Sequence, residues 1–169
     1  MEQNFDIGLN AKINEFAKKF NIDREKIKDE DIFEDFANYT IASTLLEEEV
    51  ENVKSVSTNK AQGIDGIAII VNDKLISEES DLAKFGESEK LKIRVGFIQS
   101  TIKGSFDEQK LRAFTDEVVN FLVGDVRIEP FYSIYNKLLD REGDYIKKIA
   151  ETPRVSLFFL SAKTLHNIQ

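Results

Sequence analysis

Polar and apolar residues alternate over the first half of residues 90–103, and the second half is mostly apolar up to Ile98. The stretch then turns polar over residues 99–101. This pattern is typical of a strand that ends in a cleft. A second apolar run, over residues 67–71, follows the acidic turn at residues 63–66. We therefore expect two strands whose polar ends meet at one rim of a sheet.

The rest of the pattern predicts an α/β fold with a mixed central β-sheet flanked by helices. Apolar residues at helical spacing predict helices over residues 9–20, over 32–50 with Asp31 as N-cap, and between Ser105 and Gly124. A further helical stretch begins at Pro130, with an interruption at Gly143 before its pattern resumes up to residue 149. Apolar and β-branched runs predict strands over residues 53–57, 64–71, 74–76, 90–103 and 155–160. Asn72 and Asp73 form the predicted turn of a hairpin.

The 169 residues fit a single domain that is long enough to bury a core. We expect a helical lead-in over residues 1–51 and an α/β core over residues 31–161. Because an apolar strand lies so close to the carboxyl end, we expect the amino-terminal part of a longer protein. The sequence has no cysteine, no run of about 20 apolar residues and no signal-peptide pattern. It therefore predicts a cytoplasmic protein without a membrane partner.

The net charge of −8 is unevenly distributed. Residues 1–51 carry 14 acidic and 6 basic side chains, and the charges of the remaining residues cancel. An acidic protein of this kind is not expected to bind nucleic acid over its whole surface. Since the acidity is concentrated in the amino-terminal helices, a local groove that accepts phosphate is still compatible with the sequence.

The usual catalytic motifs are missing from the sequence. It has no glycine-rich phosphate loop and no Gly-x-Ser-x-Gly nucleophile elbow. His166, the single histidine, lies in the polar carboxyl-terminal segment. We therefore predict neither a histidine-based zinc site nor a Ser-His-Asp triad.

Asp65 and Gln99 are the remaining candidates, because each lies at the polar end of a predicted strand. A carboxylate and an amide carbonyl are hard oxygen ligands of the kind that Mg²⁺ or Mn²⁺ prefers for phosphodiester hydrolysis. Alternate residues of a strand face the same side, so Thr101 and Lys103 would share a surface with Gln99. The alternative is that Asp65 serves only the geometry of its turn.

Glu34 is a further candidate on the second predicted helix. It flanks the apolar face that Phe33 and Ala37 form, so its carboxylate would reach over the edge of the sheet. The alternative is an exposed acid in the first turn, where the helix dipole favours negative charge.

Four short motifs carry a resemblance to a known family. They are Phe-Glu-Asp-Phe-Ala-Asn-Tyr at 33–39, Gly-Ile-Asp-Gly-Ile-Ala at 63–68, Phe-Ile-Gln-Ser at 97–100 and Ser-Phe-Asp at 105–107. In order and spacing, over residues 32–160, the chain resembles the amino-terminal region of abortive-infection phage resistance (AIPR) proteins. The resemblance implies a restriction-endonuclease-like fold of the PD-(D/E)xK nuclease group, within a longer protein of bacterial phage defence.

The resemblance also implies roles for single residues. Asp65 matches the metal-binding aspartate, Gln99 matches the second acidic or amide position, and the catalytic lysine falls at position 101. This chain has Thr101 there, and threonine cannot supply a cation. Lys103 could replace the lysine, the domain could have lost catalysis, or the substitution could have been engineered to silence a toxic nuclease.

Three functional hypotheses follow. The first is a divalent-metal-dependent nuclease domain, inactive if Thr101 has no substitute, with Mg²⁺ or Mn²⁺ as cofactor and DNA or RNA as partner. The alternative is a non-catalytic interaction or scaffold domain that keeps the nuclease fold. A third hypothesis is a plain structural domain. The remaining domains of a longer chain and a second copy of this chain are further expected partners.

Overall fold

The computed structural model describes residues 5–59, 63–102 and 108–162. The predictions for Lys103, Ser105 and His166 lie outside these residues. The described chain forms the helices α1 (Ile7–Lys19), α2 (Asp29–Leu46), α3 (Glu108–Val123) and α4 (Phe131–Leu139). Its strands are β1 (Gly66–Val71), β2 (Lys74–Ile76), β3 (Ile93–Thr101) and β4 (Arg154–Ser161). Among the described helices, none combines the length and the hydrophobicity needed to cross a membrane.

The strands form one mixed sheet in the order β2-β1-β3-β4. β1 is antiparallel to both β2 and β3, whereas β3 and β4 are parallel. The predicted α/β class with a mixed central sheet is therefore confirmed. β3, the strand predicted within residues 90–103, lies inside the sheet and pairs with a neighbour on both sides.

Helices cover both faces of the sheet. α3 and α4 pack on one face, where Phe97 of β3 contacts Phe121 of α3 with a ring-centroid distance of 5.4 Å. α2 packs on the other face, and α1 packs in turn on α2. At Gly96 of β3 the approach of α2 is so close that an added Cβ would lie 2.4 Å from Leu45 Cδ1. This packing fixes α2 and α3 relative to the end of β3.

The hairpin prediction is confirmed, because β1 and β2 pair around Asn72 and Asp73. Both residues have positive φ angles, 48° and 61°. A two-residue turn with left-handed φ at both positions matches the right-handed twist of the flanking strands, and Asn and Asp tolerate that conformation well.

The strand predicted over residues 53–57 is wrong. Val53–Ser55 is a single 3₁₀ turn, and Ser57 alone forms an isolated bridge, to Gly66. Local side-chain bonds explain the difference, because Asn52 Oδ1 accepts from the backbone N–H of Lys54 at 3.0 Å and Ser55 Oγ donates to the Asn52 carbonyl at 2.6 Å. Side-chain bonds of this kind compete with sheet pairing.

Two helix boundaries also differ from the prediction. α2 begins at Asp29 with Lys28 as N-cap, so Asp31 lies in the first turn instead of capping the helix. The helical stretch after Pro130 is interrupted, as predicted, but α4 ends before Gly143, at Leu139, and only the 3₁₀ turn Ile146–Lys148 follows where the helix was expected to resume. A turn at Asp140, whose carbonyl accepts from the N–H of Gly143 at 2.9 Å, separates the two.

Candidate functional site

Asp65 lies directly before β1, and its backbone is held at three points. Its N–H donates to the carbonyl of Ile98 at 2.8 Å. Its carbonyl accepts from the N–H of Thr58 at 3.1 Å and from Nδ2 of Asn38 at 3.1 Å. The sheet, the segment before β1 and helix α2 thus all fix the position of this aspartate.

Asn38 ties α2 to the Asp65 turn from a fully buried position. Its Oδ1 is buried and has no hydrogen-bond partner within the described residues. A Cβ added to Gly66 would lie only 2.2 Å from that oxygen, so glycine is needed for this approach. Asn38 was given no role from the sequence, although a polar residue one turn from the buried Ala42 on the same helix face indicates a buried amide that bonds to the backbone.

The carboxylate of Asp65 is held by Ser100 of β3. Its Oδ2 accepts from the backbone N–H of Ser100 at 2.6 Å and from Ser100 Oγ at 2.8 Å. Burial raises the pKa of Asp65 above its ordinary value of 3.8, while the Ser100 donors and the Gln99 side chain lower the pKa by a smaller amount. The site therefore stabilises the ionised carboxylate less well than water does.

The structure brings Gln99 next to Asp65, as the two polar strand ends predict. Pairing of Gly66 with Ile98 sets Asp65 opposite Gln99, and the Gln99 side chain lowers the pKa of Asp65. Within that side chain only the amide N–H can donate to a carboxylate. The same Nε2 donates to the carbonyl of Ser100 at 3.2 Å. The Gln99 Oε1 is buried and has no hydrogen-bond partner within the described residues. A buried acceptor without a donor is costly, and such an atom calls for an explanation.

Two cavities adjoin these side chains and share Ser100, Thr101 and Lys110. The first, of about 190 Å³, lies between α2 and β3 and is lined by Glu30, Phe33, Glu34, Asp65, Ser100, Thr101, Ile102 and Lys110. The second, of about 240 Å³, lies under the start of α3 and is lined by Gly63, Gln99, Ser100, Thr101, Lys110, Ala113, Phe114 and Phe159. Glu34 and Thr101, both predicted from the sequence, thus line the same cavity as Asp65.

Lys110, in the first turn of α3, was missed by the sequence analysis. It is exposed and forms no ion pair with any residue that the structure describes. The signal that could have found it is its spacing, since Lys110 precedes the buried Phe114 by four residues and so lies on the same helix face.

The donor set fits a divalent cation with few protein ligands. Mg²⁺ is usually bound through one or two carboxylates, with substrate phosphates and waters completing its shell. Asp65 offers one carboxylate, and Gln99 would offer Oε1 after a half-turn of its amide group. That half-turn would give up the bond from Nε2 to the Ser100 carbonyl, and the cation itself would become the partner of Oε1. The described residues contain no cluster of three or more His, Cys, Asp or Glu side chains suited to a metal.

Comparison with other proteins adds no outside information about this site. No family model, no curated protein and no solved structure matches the chain. The chemistry of the site follows from Asp65, Gln99 and Lys110 and from their positions at the two cavities.

Proposed function

We propose that this chain is a divalent-metal-dependent nuclease domain with a restriction-endonuclease-like fold, which hydrolyses phosphodiester bonds of DNA or RNA in bacterial phage defence. The observation that carries the proposal is that Asp65 and Gln99 lie opposite each other beside two adjoining cavities, with Gln99 Oε1 buried and without a hydrogen-bond partner among the described residues. The motif resemblance supports the setting in phage defence, and the mixed sheet flanked by helices is compatible with the fold.

In the proposed reaction the oxygen of a water molecule attacks the phosphorus atom and the bond from phosphorus to one bridging oxygen breaks. The attacking water loses its proton to solvent, and the leaving oxygen takes up a proton. The products are a phosphomonoester and a free hydroxyl end. A bound Mg²⁺ or Mn²⁺ would supply positive charge to the phosphoryl oxygens and lower the pKa of a bound water.

The residues of the site prepare this reaction by orientation. Both Ser100 donors bind Oδ2 of Asp65, so Oδ1 is the carboxylate oxygen available to a cation once Gln99 has turned. Asn38 and the sheet fix the Asp65 backbone, which keeps the carboxylate at the cavity. Such supporting contacts typically account for a 10- to 100-fold effect on metal affinity.

The first test is Mn²⁺ binding by the purified protein, measured by isothermal titration calorimetry. We expect Asp65→Asn to weaken binding by at least about tenfold, because the substitution removes the charged ligand. Asp116→Asn is the matched control, since Asp116 is an exposed acid on α3 that lines neither cavity. Equal affinities for wild type and Asp65→Asn would contradict the proposed metal site.

The second test is cleavage of single- and double-stranded DNA and RNA with Mg²⁺ or Mn²⁺. Thr101→Lys restores a cation at the position that the resemblance implies, so we expect this variant to cut at least one of the substrates. The proposal fails if Thr101→Lys protein cuts neither DNA nor RNA and binds no metal.

A binding or scaffold domain is the second candidate, and a specific observation favours it. Apolar side chains are exposed on α3 and on the edge strand β4, with exposed fractions of 50% for Val119, 65% for Val123, 39% for Val155 and 42% for Leu157. Exposed apolar side chains of this size are typical of surfaces that contact other proteins. A domain of this kind would not distinguish wild type from Asp65→Asn in Mn²⁺ affinity, so the first test separates the two candidates.

A further inference from the structure

We propose that Lys110 of α3 supplies the cation that Thr101 cannot, and that it stabilises the phosphate as charge builds up during hydrolysis. The proposal rests on the proposed nuclease function. Its basis is position, because Lys110 lines both the cavity that contains Asp65 and the cavity that contains Gln99. A phosphate bound at either cavity would therefore lie beside this lysine.

Lys110 is the one positively charged residue among the described residues that line the two cavities. The other charged side chains there are acidic, namely Glu30, Glu34 and Asp65. Lys110 forms no ion pair with a described residue, so none of the described carboxylates has to be displaced before its ammonium group can bind a phosphate. An ammonium group on a flexible stem presents three donors and adapts readily to a phosphate oxygen.

The packing of α3 fixes where Lys110 can reach. Phe114, one turn further along, is buried and packs on Phe159 of β4 at a ring-centroid distance of 6.4 Å. Phe121 packs on Phe97 of β3, so the helix is anchored along its length. Lys110 lies in the first turn of α3, and with Thr101 at the end of β3 it lines both cavities.

In this role Lys110 transfers no proton and forms no covalent bond. Its ammonium group donates hydrogen bonds to a non-bridging phosphoryl oxygen, and this interaction strengthens as the attacking water adds to phosphorus. A donor placed where charge develops contributes more to the transition state than to substrate binding. Loss of Lys110 should therefore lower kcat more than it raises KM.

The experiment measures steady-state cleavage with Mn²⁺ for wild type, Lys110→Ala, Lys110→Arg and the double variant Lys110→Ala/Thr101→Lys. We expect Lys110→Ala to lower kcat by about 10²-fold, while KM and Mn²⁺ affinity change by less than about threefold. Lys110→Arg keeps the charge and should retain part of the activity. The double variant should recover cleavage, because a lysine at position 101 enters the same two cavities. The Thr101→Lys single variant is the reference: with a lysine at position 101, loss of Lys110 should change kcat by less than about threefold, whereas a purely structural role would cost the same in both backgrounds.

Arg112→Ala is the matched control, since Arg112 is an exposed cation on the same helix, pairs with Glu108 and lines neither cavity. If the Lys110→Ala protein cleaves as fast as the Arg112→Ala protein, Lys110 does not have the proposed role. The proposed nuclease function would still stand. A wild-type protein that binds Mn²⁺ through Asp65 but cuts no substrate would also overturn the role of Lys110. A wild-type protein that cuts nothing and binds Mn²⁺ no better than Asp65→Asn would instead overturn the nuclease function itself.

Discussion

A carboxylate that is buried without a cation costs free energy to ionise, and Asp65 shows how this chain limits the cost. Ser100 gives the carboxylate two short hydrogen bonds, yet burial still outweighs them and raises the pKa. Asp81 is the opposite case, because a hydrogen bond from Lys84 and donors from Ser77 and Glu78 hold its pKa at about 2. An acid that the fold leaves incompletely satisfied is the kind expected at a functional site.

The raised pKa predicts how Asp65 affects stability. The folded protein holds the Asp65 proton up to a higher pH than the unfolded chain does, so this residue lowers the free energy of unfolding as pH rises above the ordinary value of 3.8. We expect Asp65→Asn to raise the melting temperature by a few degrees near neutral pH. The gain should shrink as pH falls towards 3.8. Thermal unfolding from about pH 4 to about pH 8 measures this.

The control for this prediction is again Asp116→Asn, an exposed acid on α3. Its melting temperature should follow that of wild type across the pH range. If the increase in melting temperature for Asp65→Asn does not change with pH, the packing of the new amide causes it and the cost of ionising Asp65 does not. A loss at every pH would mean that the Ser100 bonds need the charged acceptor.

At the scale of elements, the contact of α2 with the start of β1 positions the site, and Gly66 permits it. A Cβ at position 66 would lie 2.2 Å from Asn38 Oδ1, so Gly66→Ala must push the helix and the strand apart. We expect a loss of about 1–3 kcal/mol in the free energy of unfolding, as is usual for overpacking. Weaker Mn²⁺ binding should accompany it, because Asn38 would lose the Asp65 carbonyl. Urea denaturation and calorimetry measure the two effects.

Gly86→Ala is the matched control, because a Cβ there would meet no heavy atom within 4 Å. If Gly66→Ala and Gly86→Ala unfold at the same urea concentration, α2 and β1 are not packed as closely as described. A stability loss with unchanged Mn²⁺ affinity would instead separate the packing of α2 from the metal site.

The larger elements were predictable from the sequence because hydrophobic periodicity reflects which face is buried. The fully buried β1 and the apolar face of α3 both follow from it, and the turn at Asn72 follows from its left-handed conformation. The segment at residues 53–57 was not predictable in this way. Its apolar content suits a strand, but the Asn52 and Ser55 side chains close a 3₁₀ turn instead.

The site was predictable only where its residues come from adjacent strands. Asp65 directly precedes β1 and Gln99 lies near the end of β3, and antiparallel pairing places the start of one strand beside the end of its neighbour. Asn38 and Lys110 come from helices on opposite faces of the sheet. Their distance from the site depends on how each helix packs, and periodicity gives no information about that packing. Both therefore emerge only from the three-dimensional structure.

At the scale of the whole molecule, the site lies between regions of unlike charge. The amino-terminal helices α1 and α2 belong to residues 1–51, which hold 14 acidic and 6 basic side chains, whereas the charges of the rest cancel. Glu30 and Glu34 of α2 line one side of the Asp65 cavity, and Lys110 of α3 lines the other. The negative charges of α2 therefore repel an approaching phosphate, and a bound divalent cation would offset this repulsion.

This arrangement predicts that removing one acid near the cavity strengthens nucleic-acid binding. We expect Glu30→Gln to raise the affinity for a fluorescein-labelled oligonucleotide by about threefold at low salt, in EDTA so that cleavage does not interfere. Fluorescence anisotropy measures the affinity. Because salt screens charges at the surface, the gain should disappear near 1 M salt, where the Debye length is about 3 Å.

Glu25→Gln is the matched control, since Glu25 is an exposed acid of the same acidic segment that lies outside both cavities. If only Glu30→Gln raises the affinity for the oligonucleotide, the oligonucleotide binds at the Asp65 cavity. Equal gains from Glu25→Gln and Glu30→Gln would mean that the oligonucleotide responds only to net charge. A gain that persists at high salt would contradict the electrostatic explanation, because a screened repulsion cannot survive there.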